Sequence, residues 1–120
     1  MQLFEEYDKK QSKKILENNQ RLNDAFDGIR EYSSDLSKEI TSRSRSRQLR
    51  NLIEFAIAIE AAGNIVAKNL LPLALDRKKE GIHFSAEGLA ELESMHERII
   101  ANISLASNVL ISRDVDIARQ

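Results

Sequence analysis

Two Glu-x-x-His pairs stand in the sequence, Glu80 with His83 and Glu93 with His96. On a helix this spacing sets a carboxylate and an imidazole on one face. Ferritin-like bundles hold two irons with two such pairs and two further glutamates from separate helices. The first pair here encloses Gly81 and precedes Ser85, which places it in a loop, so its side chains share no helical face. The second sits within a helical pattern but alone, and His96 beside an apolar stripe reads as a core-edge histidine with a hydrogen-bond partner. A third constellation, Glu60 with Asn64, lies one turn apart in the most apolar stretch of the chain, residues 49–75. A carboxylate and an amide oxygen on one face suit a hard cation held between helices. They suit better a buried polar pair bonded across a bundle, which fixes its register. No Gly-rich phosphate loop and no Gly-x-Ser-x-Gly elbow is present, and a chain without cysteine has no Cys/His nucleophile pair. These residues predict a protein that is not an enzyme and carries no cofactor.

Long helices must position these groups. In residues 49–75, Ile53, Ile57, Glu60, Asn64, Ala67 and Leu71 fall on one face, and Leu52, Ile59, Gly63, Val66 and Leu70 on a second about 100° away. A helix with two apolar faces needs packing on two sides, so this one is expected at the centre of a bundle. The third face, Glu54, Ala58, Ala61, Ile65 and Lys68, is expected to meet solvent. Length alone permits a membrane span, but Glu54, Glu60 and Lys68 would each cost about 2.5–3.5 kcal/mol at a bilayer centre. Pro72 is expected to break the end of the helix. Ahead of it, Phe4, Tyr7, Ile15, Leu22, Phe26, Ile29, Leu36 and Ile40 keep a coiled-coil-like spacing, interrupted by Gln11, Asn18 and Ser33.

Between these helices, residues 41–47 (TSRSRSR) offer no apolar position. A Ser-Arg repeat can contact RNA or take phosphate, but three pairs with no interleaved aromatic read as a solvated turn. Residues 76–81 (DRKKEG) read as a second turn, whose basic side chains suit the negative end of the preceding helix. Ser85 reads as the N-cap of a third helix, with Glu87 in its first turn and Leu89, Leu92, Ile99, Ile103, Ala106 and Leu110 as its stripe. The pattern resets near Ser112, and residues 114–120 read as the start of a fourth helix, cut from a longer chain.

Composition sets the bounds. One proline and four glycines in 120 residues favour an all-α fold, and 42% hydrophobic residues suffice for one domain with a modest core. Lysine and arginine number 18 against 19 acidic residues, a balance with no global attraction for nucleic acid. Residues 1–20 are mostly polar and rich in charge, with no targeting segment expected, and the lack of cysteine fits the cytosol. The expected fold is an antiparallel three-helix bundle, with helices at 1–42, 46–75 and 86–111 and a fourth begun at 114–120. Apolar surface left by the interrupted first helix and the begun fourth helix predicts a homo-oligomer.

The stretch Ile59-Glu60-Ala61-Ala62-Gly63-Asn64-Ile65 resembles the signature of PhoU-type helical domains, leucine-glutamate-x-isoleucine-glycine-aspartate. Tyr32 with Leu36, Arg47 with Leu52 and Ile53, Asn69-Leu70, and residues 83–92 (HFSAEGLAEL) and 112–119 (SRDVDIAR) extend the likeness. Together they resemble the PhoU-like cytoplasmic domain at the C-terminus of bacterial sodium/phosphate cotransporters, over about residues 22–120. Phe84, Ser85, Glu87 and Gly88 are the most discriminating piece. The resemblance implies one repeat of a bundle, with a second beginning near Asp114. It implies a transmembrane transporter domain in the same chain, sodium and phosphate as the transported ions, and a place on the cytoplasmic side of the bacterial inner membrane. The role implied is regulation or assembly in phosphate uptake, through helix–helix contact. PhoU-type domains can also carry multinuclear metal clusters on an acid-x-x-x-aspartate motif. Glu60 matches the first acid, but Asn64 stands where the aspartate belongs, and an uncharged amide is a much weaker ligand, so no metal is expected. A metal-binding phosphate-signalling regulator and a di-iron enzyme are the competing readings.

Overall fold

Asp8 starts the first helix. Its carboxylate accepts hydrogen bonds from the backbone N–H groups of Lys10 (2.9 Å) and Gln11 (3.4 Å), which satisfies donors that a helix start leaves open. From there α1 runs Lys9–Glu39 in the computed structural model, which describes residues 7–112 of the chain. The expected helical residues before position 7, including Phe4, and the expected fourth helix at 114–120 lie outside the described residues. A turn at residues 40–42 leads into α2, Arg43–Glu80, and α3 follows as Ala86–Ser112. Every regular element among the described residues is helical.

Two features of α2 depart from the sequence reading. The segment expected as a turn at 41–47 is helical from Arg43 onward. Arginine is among the better helix formers, and its lack of an apolar partner says nothing against a helix whose outer face is solvated. The second departure is Pro72, which does not end the helix. Proline has no N–H to donate, and its ring strikes the carbonyl one turn back. The chain widens ahead of it: Val66–Leu70 form a π turn, in which the Leu71 N–H reaches back five residues to the Val66 carbonyl. The wider turn makes room for the ring, and α2 continues through Leu71–Glu80. The expected charged turn at 76–81 is thus mostly helix, closed at Gly81, whose φ of 65° is a left-handed conformation that suits glycine. Arg77, Lys78 and Lys79 still occupy the last turn, where their charge suits the helix dipole.

The chain divides after Glu80 into two compact units. Within the first, α1 and α2 pack as an antiparallel hairpin: Asn19 bonds to Asn64, while Tyr7, earlier in the chain, meets Lys78, later in it. The contact follows a heptad spacing on both helices. On α1 it passes through Ser12, Ile15, Asn19, Leu22, Phe26, Ser33, Leu36 and Ile40, all buried or half-buried. Ile29 belongs to the same repeat but is 42% exposed, and Asn18, expected on the seam, is exposed. On α2 the seam is Leu49, Ile53, Ala56, Glu60, Gly63, Ala67, Leu71 and Ala74. This seam is rotated from the expected one. Gly63 faces α1, whereas Ile57 is 47% exposed.

Small residues explain the close approach. A Cβ on Gly63 would lie 2.5 Å from Leu22 Cδ2, and Ser12, Ser33, Ala67 and Ala74 are buried on the same seam. At the end far from the turn, Leu71 and Ala74 pack against Tyr7 and Ile15. Lys78 closes that end, donating to the Tyr7 carbonyl at 3.2 Å with its ammonium 5.4 Å from the Tyr7 ring centroid. By length and composition, Arg43–Glu80 could cross a membrane. Its partner α1 argues against that, since Lys13, Glu17, Arg21, Asp24, Asp27 and Arg30 are exposed along the hairpin and would enter the bilayer with it.

In the second unit, Ser85 caps α3: the Gly88 N–H donates to Ser85 Oγ at 3.0 Å. Glu87 lies in the first turn, as the sequence predicts. Leu89, Leu92, Ile103, Ala106 and Leu110 of the expected stripe are half-buried, and Ile99 is 48% exposed.

Candidate functional site

The seam carries a polar chain at its middle. Asn19 comes from α1, four residues after Ile15 in the heptad, and Glu60 and Asn64 from successive turns of α2. Asn19 Nδ2 donates to Asn64 Oδ1 at 3.2 Å, and Asn64 Nδ2 donates to Glu60 Oε1. All three side chains are half-buried. An ionised carboxylate only accepts, so Glu60 fixes which end of the Asn64 amide faces it. That leaves the Asn64 oxygen toward α1, where only a donor will do, and Asn19 supplies one. The direction of every bond in the chain follows from one charge. Shifting either helix by one residue would part Asn19 from Asn64 and leave buried polar groups without partners, so the chain fixes the register of the hairpin.

Gly63 belongs to the same site. A Cβ there would lie 3.0 Å from Asn19 Oδ1, so the missing side chain gives the Asn19 amide its place. Asn19 Oδ1 and Asn23 Oδ1, one turn apart on α1, are both buried without a hydrogen-bond donor.

A metal cluster does not fit this donor set. Hard divalent cations take about six to eight oxygens, with several carboxylates among them in the tighter sites. Here Glu60 Oε1 is taken by Asn64, and Asn64 Oδ1 by Asn19. What remains is the second oxygen of a single carboxylate, Glu60, and neutral amide oxygen. Among the described residues no three His, Cys, Asp or Glu side chains converge on one point.

The other sequence candidates lie elsewhere. Glu80, His83 and His96 are exposed and Glu93 half-buried, with Glu80 closing α2 and Glu93 and His96 within α3. Phe84, Ser85, Glu87 and Gly88 form the capped start of α3. A Cβ on Gly88 would lie 3.2 Å from Ser85 Oγ, so this motif has a structural reason for its glycine. The sequence pairs Glu60 with Asn64 and so gives one of its two companions in the chain. Asn19 was missed, although counting the heptad from Ile15 lands on it.

Glu60→Gln keeps the shape and the acceptor oxygen, so it is expected to stay within about 0.5 kcal/mol of the parent in urea denaturation. A loss above about 2 kcal/mol would show that the charge itself holds the hairpin together.

No family model matches the chain, and no solved structure matches it. Among curated proteins it aligns over 99 residues, 82% of its length, with "Putative inorganic phosphate export protein YjbB" of Escherichia coli strain K12 at 30% identity. The same protein of Escherichia coli O157:H7 matches at 30% identity, and that of Salmonella typhimurium strain LT2 at 29%, over the same share. The likeness is to a protein named for phosphate export. The chain spans 18% of the length of YjbB, so it corresponds to one segment of that protein. This homology supports the phosphate-transport part of the sequence expectation; sodium coupling and uptake go beyond it.

Proposed function

We propose that this chain is a non-catalytic regulatory or assembly domain of a phosphate transporter of the sodium-dependent type, on the cytoplasmic side of the membrane. The observation that carries the reading is the alignment: 82% of the chain matches a segment that is 18% of a protein named for inorganic phosphate export. The remaining length of such a relative can hold the membrane part, and a helical segment of this kind can act on it. The direction of transport follows the named relative in part, so export as well as uptake falls within the reading.

In the working form the open apolar face of the hairpin is buried against the transporter or in a homo-oligomer. Leu52, Leu70 and Leu73 on α2, at 49%, 39% and 58% exposure, are the side chains such a contact would cover. The domain acts by helix–helix contact, and the polar chain at Asn19, Asn64 and Glu60 keeps the hairpin rigid enough to transmit it.

Deleting the segment from the full-length transporter that carries it tests this. Radiolabelled phosphate flux should change while the amount of transporter in the membrane stays the same. Unchanged flux at matched protein level would refute it.

A further inference from the structure

The arginines at the start of α2 are left unexplained by packing. Arg43, Arg47 and Arg50 are exposed, lie four and three residues apart on one face, and form no ion pair among the described residues. No acidic residue occurs between Glu39 and Glu54, and the first turn of α2 has none. Positive charge is unfavourable at the start of a helix, where the dipole is itself positive. At Arg43, the first residue of the helix, the chain thus carries charge against its own local preference.

The same strip continues down the helix at heptad-like steps. After Glu54 come Ile57, 47% exposed, Ile65, 55% exposed, and the exposed Lys68. From Arg43 to Lys68 it extends about 38 Å at 1.5 Å per residue. One side of a long helix therefore has bases at both ends, isoleucines between, and Glu54 as its one acid.

We infer that this strip of α2 is a docking surface for an anionic bilayer, with Arg43, Arg47, Arg50 and Lys68 on headgroup phosphates and Ile57 and Ile65 at the acyl boundary. A basic amphipathic face has this chemistry, and the charge sign matches the cytoplasmic leaflet. The two isoleucines favour a lipid surface over nucleic acid, which would leave them without a partner, and the strip offers no aromatic ring for a base to stack on. The balanced charge of the whole chain hides the patch, because the acids lie elsewhere. The inference rests on the reading that the domain stands beside a membrane, where tethering makes even a modest surface affinity effective.

Flotation of the 120-residue chain with phosphatidylcholine vesicles, with and without phosphatidylglycerol, tests it at low salt. Binding is expected only with the anionic lipid and should fall as salt is raised. Arg47→Gln should lower the partition coefficient roughly fivefold, and Arg47→Gln with Arg50→Gln about 25-fold, with helicity by circular dichroism unchanged. Arg45→Gln removes the same charge from another face of the helix and should cost about twofold or less. Ile65→Gln should weaken binding without altering its salt dependence. Equal binding to neutral vesicles, no binding to either, an Arg45→Gln effect as large as that of Arg47→Gln, or tighter binding to RNA than to the anionic vesicles would each overturn the inference. Lipid binding is read on the isolated chain and phosphate flux on the transporter, so either result can fail without the other.

Discussion

Replacing Gly63 with leucine is expected to cost the hairpin about 3 kcal/mol, the upper part of the range for overpacking a filled contact. Even a single added carbon at this position would lie 2.5 Å from Leu22 Cδ2 and 3.0 Å from Asn19 Oδ1. Alanine has a way out. Leu22 Cδ2 is the end of a flexible side chain and can turn aside, and the gain in helix propensity of about 1 kcal/mol offsets the remaining crowding. Leucine has none, because the added branches must displace both the Leu22 side chain and the Asn19 amide. Urea denaturation followed by circular dichroism should therefore show Gly63→Ala within about 1 kcal/mol of the parent and Gly63→Leu far below it. Equal stability for both variants would mean that the helices can part without loss, and the seam would not be the contact described.

A comparable loss, about 2–3 kcal/mol, is expected for Leu71→Ala. Leu71 is 8% exposed and forms the buried cluster of the hairpin together with Ala74, which is fully buried and too small to fill the space. The expected value sits at the low end for leucine truncation because Tyr7 and Ile15 are themselves partly exposed and can shift toward the gap. Leu73→Ala, two residues on at 58% exposure, should cost less than about 0.5 kcal/mol and serves as the control. A loss from Leu73→Ala as large as that from Leu71→Ala would place the buried face of this helix elsewhere.

Local chemistry was legible in the sequence and pairing was not. Ser85 announces the start of α3, because a serine before an acidic first turn is a local signal that needs no tertiary partner. Glu60 and Asn64 stood out because both are polar within an apolar run. Their partner Asn19 lies 45 residues from Asn64, and only the register of the hairpin brings it there. Gly63 was assigned to the wrong face for a related reason. Apolar periodicity treats a glycine as empty, while a helix contact uses the empty position for its closest approach. Pro72 misled because proline usually stops a helix, and the π turn at Val66–Leu70 that relieves it leaves no mark in apolar spacing. The arginines from 43 to 47 looked like a turn for want of apolar residues, although their helix propensity is high.

The central proposal is that this helical segment regulates phosphate movement through a transporter to which it belongs. Radiolabelled phosphate flux in membrane vesicles, compared between the parent, Glu60→Gln and Gly63→Leu in the full-length protein at matched membrane levels, tests it most directly. The account predicts that Glu60→Gln leaves the flux unchanged and that Gly63→Leu, by undoing the hairpin, alters it several-fold. Identical flux in all three, with the hairpin of Gly63→Leu shown to be unfolded, would contradict it.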